Sequence, residues 1–193
     1  MMKQLLIISL VLLSVSVACS SLDDDYDNMD EATKAEASEY VDALMNAFRN
    51  GELHWLSCPD VQWAHIPQLL EYGKSTAIIG DDPSDGRARV LIPANPISSY
   101  LMFQCSEGMF ALWMVEAARI HTLNPLATGI GGWPSQNPFV QTVKEGREPT
   151  WYINDPKVQQ EVLNAYTDWW KEGKGKRSTA SVNPLEGTGY MWH

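Results

Sequence analysis

The chain has 193 residues with 14 basic and 24 acidic side chains, a formal net charge of −10. Nucleic acid binding needs a basic face, and the one basic cluster, Lys171, Lys174, Lys176 and Arg177, is diluted by Glu172 and two glycines. It reads as a solvated helix end, and no nucleic acid partner is expected.

Residues 1–18 begin with a single basic side chain, Lys3, run through an apolar stretch at 5–13 and finish in small residues. That order describes a secretory signal, and the apolar stretch is shorter than the about 20 residues a membrane-spanning helix needs. Val17-Ala18-Cys19 resembles a bacterial lipobox, which implies that Cys19 carries palmitate-type acyl chains and anchors the mature protein in a membrane. Ser20-Ser21-Leu22-Asp23-Asp24-Asp25 resembles the export signal that follows the cysteine in surface-exposed lipoproteins of Bacteroidetes-type bacteria. Ser21, Asp23, Asp24 and Asp25 are its nominated residues, with an inner-membrane retention signal or a plain solvated linker as alternatives. Physically, a run of like charges cannot pack a core and extends as a tether. The expected organisation is a lipoprotein signal peptide at 1–18, a lipidated cysteine and acidic tether at 19–31, and a single globular domain at 32–193. The expected location is the outer membrane, facing the cell exterior, with the periplasm as the alternative.

Helix signals dominate the body. Ala37, Tyr40, Val41, Leu44, Met45 and Phe48 recur at three and four positions, one apolar stripe that Asp30 caps and Gly51 ends. A short helix is expected over 66–73, with Pro67 in its first turn. Residues 80–89 hold Asp81-Asp82-Pro83 and Asp85-Gly86 and read as a loop, and 89–92 as a short strand. The segment 106–123 is apolar nearly all round, the pattern of a central buried helix, and Glu116 can pair with Arg119 on its one polar strip. After Asn124-Pro125 comes an irregular region at 129–138, then a helix with Asp155 as cap, Pro156 in its first turn and Gly173 as its stop. The fold class this predicts is all-α, an irregular helical domain with long loops; α+β is the runner-up.

Cys58 and Cys105 form an even pair in an oxidising compartment, so a disulfide is possible; two buried free thiols are the alternative. Cys105 also precedes a buried helix whose dipole favours a thiolate, but a histidine base must come within reach. His121 lies about 24 Å further along the same helix axis. No catalytic residue, metal or cofactor is therefore nominated. His54, Cys58, Asp60 and His65 lack zinc-ligand spacing, and Gly129-Ile130-Gly131-Gly132 lacks the lysine and strand-to-helix frame of a phosphate loop. Trp55, Trp63, Trp133 and Trp151 fall in connections, where exposed rings stack on sugars or proteins. Trp133 with Ser135, Gln136 and Asn137 is the candidate binding loop; a structural plug is the competing reading of Trp133.

Several stretches resemble a family of small Bacteroidetes lipoproteins. They are Asn95-Pro96-Ile97-Ser98-Ser99, the run from Glu107 to Trp113, Pro134-Ser135-Gln136-Asn137-Pro138, Tyr166-Thr167-Asp168-Trp169-Trp170 and the ending Gly187-Thr188-Gly189-Tyr190-Met191-Trp192-His193. That family is a domain of unknown function, so the resemblance implies a compartment and brings no activity. The functional expectation is a surface lipoprotein that binds a glycan or envelope protein without catalysis; the alternative is a cysteine hydrolase acting on cell-wall peptides.

Overall fold

Helix α1 spans Glu31–Arg49 because Asp30 caps it: the carboxylate accepts the Thr33 amide at 2.8 Å, satisfying one of the orphan donors of a helix start. The computed structural model describes residues 25–84, 86–93, 98, 100–124, 132–144 and 147–193. The stripe Ala37, Val41, Leu44, Met45 and Phe48 is buried. The chain leaves α1 through Gly51 at φ +68, a left-handed turn that glycine makes without a Cβ penalty. Tyr40, expected on the stripe, stands at its margin, 37% exposed and stacked on His65.

A 3₁₀ turn at Trp63–His65 leads into α2, Ile66–Tyr72. Helix α3, Glu107–Leu123, opens on Ser106, whose hydroxyl accepts the Met109 amide at 3.1 Å. Helix α4, Pro156–Gly173, opens on Asp155, which accepts the amides of Lys157 and Val158. The left-handed exit from α4 falls at Lys174 (φ 52) and Gly175 (φ 64), just past the expected stop. Helix α3 is central and packs against α1, α2 and α4, and every residue from Glu107 to Arg119 is buried.

The all-α expectation is corrected by two small antiparallel sheets, which make the fold α+β. Strands β1 (Ile78–Gly80) and β2 (Gln104–Ser106) pair with Ile79 opposite Cys105. Strands β3 (Val140–Thr142), β4 (Thr150–Tyr152) and β5 (Met191–Trp192) form a second sheet in the order β4-β3-β5. At two or three residues each, these strands are too short to show the period of two that marks a strand in sequence. The strand expected at 89–92 is absent; only Ile92 pairs, as an isolated bridge to Met102.

The expected Glu116–Arg119 pair forms, but inside the protein and not on a wet strip. Arg119 donates twice to Glu116, at 2.7 and 2.8 Å, and once to the Ala180 carbonyl. Tyr166 donates to Glu116 at 2.7 Å and accepts from the Trp192 indole at 2.8 Å. Burying two charges is costly unless they are paired and hydrogen-bonded; here all three guanidinium nitrogens donate and both Glu116 oxygens accept, and the network ties β5 to α3 and α4.

Candidate functional site

The second sheet builds one aromatic face. Its register sets Val140 between Tyr152 and Trp192, and Gln141 between Trp151 and Met191. Side chains alternate across a strand, so Trp151, Gln141 and Met191 share a side. Of the chain's eight tryptophans, Trp151 alone is exposed, at 45%. Three rings hold it by their edges or at a tilt: His193 at 4.9 Å, Tyr100 at 5.7 Å and Phe139 at 5.7 Å. A large flat ring is thus fixed in place with part of its surface facing solvent.

Polar groups stand beside it. His193 stacks on Phe139 at 4.6 Å, and the Asn137 amide faces its Nδ1 at 3.1 Å. An N–H directed at Nδ1 makes that nitrogen the acceptor and places the proton of the neutral ring on Nε2. Burial pushes the imidazole below its ordinary range, favouring that neutral form. Among the described residues, Nε2 makes no hydrogen bond. The Asn137 amide also donates to Ser98 Oγ at 2.9 Å, while its own Oδ1 is buried without a partner among the described residues. The amides of Gln136 and Asn137 both donate to the His193 carbonyl, and that of His193 to the Phe139 carbonyl. These bonds lock the last residue against 136–139.

The loop nominated from sequence sits differently. Trp133 is 6% exposed and stacks with Trp113 at 4.7 Å and Trp55 at 5.5 Å, so it lacks the free ring face a contact needs. Trp113 donates its indole N–H to Ser135 at 2.7 Å, and Ser135 donates to the Asn137 carbonyl. Asn137 is 1% exposed. Of the four nominated residues only Gln136 is exposed. This is the geometry of a plug whose polar neighbours tie the loop's backbone. Residues 129–131 of the loop lie outside the described residues.

Cys58 and Cys105 are both free thiols, so the possible disulfide gives way to the free-thiol alternative. Burial raises both, Cys58 to about 12 and Cys105 further, the opposite of what a nucleophile needs. Cys105 donates to the Ser106 carbonyl at 3.3 Å. The histidines are engaged or distant. His121 faces the carbonyls of Val61 and Gly132 at the far end of α3, and His65, lowered to about 4 by burial, accepts the Gln62 amide. His54 is exposed. Among the described residues no group of three metal-ligating side chains gathers, and no helix is long and apolar enough to cross a membrane. Cys19, Ser21, Asp23 and Asp24 fall outside the described residues, whereas Asp25 accepts the Arg177 amide at 2.7 Å.

The class these observations define is a small α+β domain with a buried helix at its centre and one aromatic sheet face. Residues 31–193 match a family described as a domain of unknown function, DUF4943, and the chain belongs to it. No curated protein and no solved structure matches the chain.

Proposed function

We propose that this protein is a non-catalytic surface lipoprotein, anchored in the outer membrane through Cys19 and facing the cell exterior, that binds a glycan through the Trp151 face. The observation that carries the binding half is the environment of Trp151: one exposed indole, fixed by three rings, with Gln141 across the strand and the His193 Nε2–H beside it. A sugar ring offers an apolar face to stack and hydroxyls to accept and donate, and rigid aromatic contacts with a few placed polar groups suit it. The anchoring half rests on the signal-like residues 1–18 and on Cys19 at their exit; the family match starts only at residue 31, which leaves that leader and tether outside the shared domain. The buried, raised Cys105 thiol speaks against a hydrolase.

Affinity electrophoresis through gels containing soluble polysaccharides tests the binding. The parent protein should be retarded by at least one polysaccharide, and Trp151→Ala should migrate as in the blank gel. The variant loses the edge and tilted contacts of a half-exposed ring, so its melting temperature should shift little. Equal retardation of variant and parent, or no retardation of the parent by any polysaccharide, would overturn the glycan reading.

A further inference from the structure

A second surface, away from Trp151, carries its own chemistry. The segment after α4 folds back on the helix and leaves a groove of about 590 Å³, within the range of about 300–1,000 Å³ for ligand clefts. Its floor is Ala165, Trp169 and Gly173 of α4, and its opposite wall is Val182 and Pro184. Gly173 permits the closeness: a Cβ there would sit 2.7 Å from Thr179 Oγ1. Thr179 in turn accepts the Trp169 indole N–H through its carbonyl at 3.0 Å, fixing the floor. Val182 stands 52% exposed at the rim.

Three carboxylates, Asp168, Glu172 and Glu186, join the lining with the neutral polar side chains of Thr179, Asn183 and Thr188, and no Lys, Arg or His is among them. Asp168 and Glu172 are four apart on one helix face, an arrangement that repels itself. Among the described residues none of the three has an ion pair, whereas Glu71, also exposed, is paired with Lys74 and Glu161 with Lys157. We propose that this groove docks a basic, partly apolar peptide segment of a partner protein. A lysine or arginine side chain satisfies both halves of the surface at once. Its alkyl stem lies along the apolar floor and its charged head reaches the rim carboxylates. The charges that line the groove itself are all negative, and a neutral polar ligand would leave the floor uncovered.

Fluorescence anisotropy with a labelled pentapeptide of alternating lysine and leucine tests this. The parent should bind it saturably, more weakly as salt rises, and should ignore the same peptide with glutamate in place of lysine. Asp168→Asn, Glu172→Gln and Glu186→Gln together should weaken binding about tenfold, since rim charge contacts each contribute modestly. Glu36→Gln, Glu39→Gln and Glu148→Gln, exposed elsewhere, remove the same charge and should leave binding unchanged. Equal weakening in the two triple variants, or no saturable binding by the parent, overturns the proposal.

Discussion

Trp133 and Trp151 carry the same side chain and end in opposite environments, and the difference lies in what surrounds each ring. Trp133 follows Gly132 at φ +71, a turn that swings the indole inward onto Trp113 and Trp55, whereas Trp151 sits on a sheet edge strand with its ring only partly covered. Trp133→Ala should therefore cost about 3–5 kcal/mol, as removal of a buried large aromatic does, read as a lower midpoint in chemical denaturation. The Trp133 indole N–H is buried without a hydrogen-bond partner among the described residues. A phenylalanine there keeps the stack and drops an unsatisfied donor, so Trp133→Phe should lose far less than the alanine variant. Losses of similar size in the two would mean that the indole's own shape or an unseen hydrogen bond, not aromatic packing, holds this residue.

Local chemistry sets the helices; distant partners set the sheets. Asp30, Ser106 and Asp155 each cap the helix that follows them, and each stands directly before an apolar period, so all three starts were legible in the sequence. The strands were not, because Ile78–Gly80 pairs with Gln104–Ser106 and Val140–Thr142 with residues from both its neighbours and the chain's end. The aromatic face draws on Tyr100, Phe139, Trp151 and His193, four segments that no spacing rule connects; only the presence of a tryptophan in a connection pointed to it. The start of α3 shows how a close approach hides in one residue. A Cβ on Gly108 would lie 2.2 Å from Gln159 Nε2, 2.5 Å from the Ser75 carbonyl and 2.6 Å from the Gly73 carbonyl. Gln159 is the hub of that junction, donating to both carbonyls at 2.9 Å and accepting from Ser106 at 2.7 Å. Gly108→Ala should thus destabilise the fold although alanine favours helices, by about 1–3 kcal/mol for an overpacked core site. A variant that melts at or above the parent's temperature would show that the junction yields at no cost.

At the scale of the whole molecule, the described body begins within the acidic run. Asp25 is already part of the body: it accepts the Arg177 amide, and Tyr26 donates its own amide to the Gly175 carbonyl while its ring meets Trp170 edge-on at 5.9 Å. Replacing Asp25 would therefore mix a display effect with a structural one, which makes Asp23 and Asp24 the residues on which the export reading should be tested. Acyl chains contribute about 0.8 kcal/mol per buried CH₂, so several chains hold a protein firmly where one does not. The domain's own charge cannot substitute for them, because an acidic surface is repelled by anionic lipid. Cys19→Ala should accordingly move the protein from the membrane fraction to the soluble one, and high salt should make no difference to the parent. Asp23→Ala with Asp24→Ala should leave the protein membrane-bound and as stable as the parent, yet reduce its cleavage when intact cells are treated with protease. Membrane retention of the Cys19 variant at high salt would rule out the lipid anchor. Equal cleavage of the double variant and the parent would leave the acidic run as a solvated tether alone.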